Sequence, residues 1–295
     1  MSARAATPVV LLVAVTAVWG YTFVPVQDAV GRYPLFAFLA VRFAISTAAL
    51  APFAWRPLRR LPRGGWAAGA GAGALLASAY GLQTAGLDLT TVSSTGFITG
   101  LYVVFTPLLA LALFGTPVPA AAWGGVALSV AGLALLNGTP GGSIAGNLLV
   151  LANALVQAGQ IAAMERFAPR YDPRALTFLQ MAVSCAGFLA VAGAAGQLEA
   201  PGGRTVWSAL VVTGVFAGAL GYLIATWVQA RTTAARAALV FTLEAPFAAL
   251  FGLLLAGDRL GWTGWLGCAV MLAGIVLAEP ATAGVLRRLL PARAV

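Results

Sequence analysis

Apolar residues run along this chain in long blocks, broken by short clusters of Arg, Pro and Gly. A helix rising ~1.5 Å per residue needs about 20 apolar residues to cross a bilayer core. Ten blocks meet that length: 8–27, 34–55, 64–86, 92–114, 119–137, 145–164, 174–195, 206–229, 235–256 and 262–279. The polar connections reach at most eight to ten residues, which leaves no room for an extramembrane domain. The first block is too long for a signal-peptide core and lacks a clear small-residue cleavage site, so it reads as a retained first helix. The predicted fold class is an all-α integral membrane protein with ten transmembrane helices.

Arg residues orient these blocks. With the N-terminus in the cytoplasm, 13 Arg fall on the inner side: Arg4, the 56–63 and 166–174 groups, Arg231, Arg236 and three in the tail. Only Arg32, Arg204 and Arg259 fall outside, and Arg42 lies within a block. The bias predicts a multi-pass protein of the cytoplasmic (inner) membrane with both termini cytoplasmic. Residues 284–295 form a basic tail suited to anionic headgroups.

Composition agrees. Hydrophobic residues make up 61%, charged residues 8%, and the mean hydropathy is +0.93. These values exclude a soluble domain. The net charge of +9 lies between apolar blocks, so it points to lipid headgroups rather than nucleic acid. Cys185 and Cys268 each sit inside a block and read as small core residues, not as a disulfide or metal pair.

The blocks repeat. At an offset of 142, residues 86–91 resemble 228–233, and Trp123–Gly132 resembles Trp265–Gly274. Pro107 matches Pro246 after a shift of three, Pro34 matches Pro173, and Arg42 falls opposite Gln180 within a residue. Two halves of five spans each, an odd number, must have opposite orientations. The expected units are an inverted pair, 1–138 and 139–283, an architecture that places substrate at the midplane.

In the residues Trp19-Gly20, Arg42-Phe43, the Thr-Thr starts of the fourth and ninth spans, Leu243-Glu244-Ala-Pro246 and both Trp-x-Gly…Ala-Gly endings, the chain resembles the EamA type of the drug/metabolite transporter superfamily. Relatives often carry Gly-Glu-Arg after both of those spans. Here the second copy is Gly257-Asp258-Arg259, and the first, Gly115 to Pro119, has no charge. The resemblance implies ten helices from two duplicated five-helix units and export of amino acids or related amphipathic metabolites.

Midplane chemistry is sparse. Glu244 lies at the centre of the ninth span, where a carboxylate costs about 2.5–3.5 kcal/mol on insertion scales and needs a cavity or partner. Pro246 beside it removes one helix hydrogen bond and frees a carbonyl; Pro107 does the same in the fourth span. Glu244 reads as a proton-coupling or substrate-ammonium group, or as a helix contact. Arg42 reads as a structural or snorkelling residue, an ion-pair partner of Glu244, or a clamp for a substrate carboxylate. Trp19, Tyr80, Gln83, Thr99, Tyr102, Gln157, Gln160 and Tyr222 join them as candidate cavity lining, because deep polar and aromatic side chains suit an amphipathic solute.

The predicted function is a secondary transporter working by alternating access, with broad drug efflux as the alternative on the same scaffold. An enzyme is not expected: the chain has no His, no paired midplane acids and no nucleophile beside a base. A passive pore needs rings of repeated polar residues, whereas Phe105 falls near the position equivalent to Glu244. No nucleotide-binding motif, cofactor or metal site is present in the sequence. The expected partners are a small solute and the lipid bilayer, and the sequence sets no oligomeric state.

Overall fold

The computed structural model describes residues 3–87, 89–90, 92–138, 142–256 and 261–278. Asp88, the Gly257-Asp258-Arg259 turn, Glu279 and the basic tail lie outside them. Helices α1 (Ala3–Val30), α2 (Leu35–Arg59) and α3 (Arg63–Leu87) come first. Then follow α4 (Val92–Gly100), α5 (Tyr102–Phe114), α6 (Ala120–Asn137), α7 (Ile144–Phe167) and α8 (Pro173–Ala194). Helix α9 (Gly203–Val211) runs through a π-helical stretch, Val212–Gly221, into α10 (Tyr222–Gln229). Helices α11 (Ala234–Phe241) and α12 (Glu244–Phe251), a second π-helical stretch (Gly252–Ala256) and α13 (Trp262–Ala278) complete the chain. There is no strand among the described residues.

Eight segments among them are long and apolar enough to cross a membrane, from Pro8–Val30 to Ala234–Leu255. Helix α3 is not among the eight, because Gly and Ala dominate its 25 residues. The described part of α13 has 17 residues. Phe53, Leu113, Leu254 and Trp262 remain exposed on the outer faces, as lipid-facing side chains do. The chain is a multi-pass helical membrane protein.

Small residues set the tightest seam. A Cβ built on Gly125 would lie 2.7 Å from the Gly274 carbonyl oxygen, and one on Gly132 would lie 2.7 Å from that of Gly267. Backbone therefore packs on backbone between α6 and α13, as small residues permit. The arrangement is reciprocal: Gly125 and Gly267 differ by 142, as do Gly132 and Gly274. A second reciprocal pair joins other helices. Ser46 of α2 donates to the Gly214 carbonyl at 2.7 Å, and Ser184 of α8 donates to the Gly73 carbonyl at 3.2 Å.

Connections gather at two ends. At one, the Tyr33 hydroxyl donates to the Glu199 carbonyl at 2.7 Å, joining the α1–α2 and α8–α9 connections. At the other, Tyr171 sits against Gly64 and Gly65, and Glu165 accepts from the Ala234 amide at 3.1 Å. Arg59, Arg60, Arg63, Arg170, Arg174 and Arg231 belong to this Arg-rich end. Here Asp172 caps α8 and pairs with Arg174 at 2.8 Å, which holds its carboxyl below the usual carboxylate range.

Candidate functional site

Two helix breaks position the site. Helix α4 gives way to α5 at Leu101, and α11 gives way to α12 at Thr242 and Leu243. Leu101 (φ −64°, ψ −9°) and Leu243 (φ −62°, ψ −15°) share one turn geometry at a spacing of 142. The carbonyl expected to lose its partner to Pro246 belongs to Thr242, and the Ala245 amide takes it at 3.2 Å. Each break aims the next residue inward: Tyr102 after one, Glu244 after the other. Tyr102 and Glu244 thus hold the same place relative to their breaks, whereas Phe105 lies three residues further along α5.

Tyr102 and Glu244 face a small internal pocket together with Trp19, Gln157, Gln160 and Tyr222. Its remaining walls come from Ile161, Ala225, Gln229 and Phe241. The cavity measures ≈ 30 Å³, space for about two waters and too small for an organic solute. An aromatic wall covers one side. The Trp19 ring lies 5.1 Å from Tyr222 and 5.4 Å from Phe241, centroid to centroid. The Trp19 indole N–H donates to the Ala217 carbonyl at 3.0 Å, inside the first π-helical stretch. Its polar edge therefore holds α1 to that stretch and leaves the ring face to the pocket.

Tyr80 does not line the pocket but touches it, its hydroxyl 3.3 Å from that of Tyr222. These two tyrosines are also 142 apart. Behind Tyr80 stands Arg42, buried, with its guanidinium carbon 5.7 Å from the Tyr80 ring centroid and 5.9 Å from that of Phe43. Ring faces offer a cation part of what water would. Arg42 makes no ion pair with Glu244: within 4 Å, Arg174–Asp172 is the sole pair among the described residues. Neither Arg42 nor Glu244 makes a side-chain hydrogen bond among those residues, although each charge acts on the other across the site. A buried carboxyl in the pocket wall and a buried guanidinium behind Tyr80 thus lie near one another without an ion pair, a costly arrangement without a guest or water.

Gln83 and Thr99 lie elsewhere. Thr99 Oγ1 accepts from Gln83 at 3.2 Å and from Asn153 at 3.1 Å, which ties α3, α4 and α7 into a separate polar contact. Gln160 lines the pocket but donates to Gln180 at 2.7 Å. Pro107 and Pro246 flank the breaks from within α5 and α12. Sequence reasoning missed Gln229, which is buried in the pocket wall with an unpartnered amide nitrogen. It stands at the end of its span, where an amide reads as an interface residue. No group of three or more metal-ligating side chains occurs among the described residues.

Comparison with known proteins places this geometry in context. A transporter of Archaeoglobus fulgidus, described only as uncharacterized, is 30% identical over 271 residues, covering 90% of this chain and 83% of its own. A protein of known crystal structure superposes with a TM-score of 0.76 at 20% identity, covering 95% of this chain and 99% of that one, a likeness of fold. The model of the EamA-like transporter family matches twice, over residues 6–138 and 144–279. The chain belongs to the EamA-like transporter family, within the drug/metabolite transporter superfamily, and is a membrane transporter.

Proposed function

We propose that this transporter is a secondary carrier of ten spans in two inverted five-helix repeats, 1–138 and 139–283. It exports amino acids or similar amphipathic metabolites across the cytoplasmic membrane by alternating access. The reciprocal contacts support the repeat: Gly125 with Gly274, Gly132 with Gly267, and Tyr80 with Tyr222 pair positions that an offset of 142 interchanges or joins. An odd number of spans in each unit inverts one against the other, and the Arg distribution puts both termini inside.

One observation carries the substrate reading: Glu244 lines an aromatic-walled pocket, Arg42 is buried behind Tyr80, which touches Tyr222 of that wall, and the two make no ion pair. A zwitterion satisfies both, carboxylate toward Arg42 and ammonium toward Glu244, with its side chain against Trp19, Tyr102 and Tyr222. The ≈ 30 Å³ pocket has to widen first, since sites for organic ligands run to ~300–1,000 Å³. Drug efflux is the second reading, because an acid among aromatic rings also suits a lipophilic cation.

Counterflow into proteoliposomes tests this. Labelled aromatic and aliphatic amino acids should show saturable exchange, and Glu244→Gln and Arg42→Gln should each lower it by about tenfold or more, the loss of a charge-assisted contact. Exchange of lipophilic cations alone, with Arg42→Gln active, would select efflux. No exchange of any amino acid by folded protein would end the amino-acid reading.

A further inference from the structure

A larger cavity, ≈ 340 Å³, opens at the Arg-rich end between α1, α10 and α11. Its walls include Val9, Leu12, Val228 and Val240, and its rim carries Arg231, Thr232 and Arg236. It abuts the midplane pocket along two helices: Val228 and Val240 face the large cavity, while their neighbours Gln229 and Phe241 face the small one.

The proposed repeat supplies its counterpart. An offset of 142 takes Val228 to Gly86 and Thr232 to Thr90. The offset of 138 that relates Arg42 to Gln180 takes Leu12 to Val150 and Val9 to Asn147. At the far end these four partners are in contact. A Cβ on Gly86 would lie 2.5 Å from a Val150 methyl, and Thr90 donates to Asn147 at 2.6 Å. Gly146 closes the same spot, where a Cβ would come within 2.8 Å of the Leu89 backbone. Equivalent positions are therefore packed at one end and parted at the other.

We infer that the cavity between α1, α10 and α11 is the inner mouth of the transport path and a capture site for the carboxylate of an amphipathic solute. The assignment of a mouth rests on the inverted-repeat carrier proposed above. The chemistry comes from the rim and walls. The Arg231 guanidinium donates to the Trp227 carbonyl at 2.7 Å and lies 3.9 Å from the centre of the Trp227 ring, so a cation is held at the rim in advance. Glu165 is turned to the start of α11, where it accepts from Ala234. Below the rim the wall is aliphatic, which suits the apolar body of such a solute. Phe241, next in the chain to Val240, and Trp19 are in ring contact in the wall of the midplane pocket.

Thiol labelling tests this without turnover. In a Cys185→Ser/Cys268→Ser background, a membrane-impermeant maleimide should modify Thr232→Cys in inside-out vesicles but not in spheroplasts. Thr90→Cys should react more slowly than Thr232→Cys. In phosphatidylcholine nanodiscs, 3-phenylpropionate should slow modification of Thr232→Cys by about tenfold and phenethylamine should not, as a charge-assisted pair to Arg predicts. Adding Arg231→Gln should abolish the protection, and Arg231→Lys should retain most of it.

Labelling of Thr232→Cys from the spheroplast side, or faster labelling at Thr90→Cys, would overturn the mouth. Equal protection by the amine, no protection by the carboxylate, or protection by phosphatidylglycerol alone would overturn the capture site. Wild-type counterflow is scored separately, so sided labelling and selective protection without exchange would leave the mouth standing and remove the carrier.

Discussion

Positions that the proposed repeat makes equivalent are packed differently at the two ends of this protein. At the Arg-poor end Gly86 meets Val150 and Thr90 bonds Asn147; at the Arg-rich end Val228, Leu12, Thr232 and Val9 line a cavity of ≈ 340 Å³. The closed end relies on glycines and one polar pair rather than on a large apolar seam. Such a contact forms and breaks without exposing much apolar surface to water. By contrast, the α6–α13 seam packs backbone on backbone at four glycines and has no open counterpart. The difference separates a part suited to stay fixed from a part suited to move.

Overpacking should break the closed end most severely. In Gly146→Leu the new side chain meets the Leu89 backbone, and a loss of about 3 kcal/mol in stability is expected from a side chain that cannot be housed. Val9→Leu, on the open side, should stay within about 0.5 kcal/mol of wild type. Thermal unfolding in detergent measures both. The next largest contrast is Thr90→Val, which removes the bond to Asn147 and should cost about 1 kcal/mol. Thr232→Val should change stability little.

Where the halves match chemically, effects should match as well. Ser46→Ala and Ser184→Ala each remove a bond to a neighbouring helix's carbonyl, and each should cost about 1 kcal/mol. Ser46, with the shorter bond, should cost more. The smallest effect concerns Asp172. Its carboxyl titrates below the ordinary value because Arg174 bonds it, so its contribution is present above about pH 4 and is lost as pH falls through the folded value. Exposure to water limits that contribution to a few tenths of a kcal/mol, read as the difference between wild type and Asp172→Asn in unfolding at pH 7 and pH 3.

Hydropathy and Arg spacing made the helices legible, because burial in lipid leaves a long uniform signal. Local backbone departures were less so. The π-helical stretch at Val212–Gly221 follows from Trp19 and Ser46 taking the Ala217 and Gly214 carbonyls, contacts made by distant helices. The break before Glu244 lies three residues ahead of Pro246, and its partner lies six ahead of Pro107. Aligning the prolines sets Phe105 near Glu244, whereas aligning the breaks sets Tyr102 there.

Helical spacing put Trp19, Tyr102, Gln157, Gln160, Tyr222 and Glu244 on inward faces, and they meet at one pocket. Gln83 and Thr99 bond each other instead, and Thr99 also accepts from Asn153, a partner that spacing along one helix does not reveal. Of the readings open for Arg42, the ion pair with Glu244 is absent among the described residues; Arg42 turns to the rings of Tyr80 and Phe43.

The central claim is that matching contacts at the two ends alternate. Oxidative cross-linking in the cysteine-free background tests it with two double variants, Thr90→Cys/Asn147→Cys and Val9→Cys/Thr232→Cys. Without substrate the first pair should close rapidly and the second slowly. During exchange the second should speed up, and each disulfide should stop counterflow until it is reduced. Equal rates for both pairs at rest, or continued exchange through an intact disulfide at either end, would contradict the account.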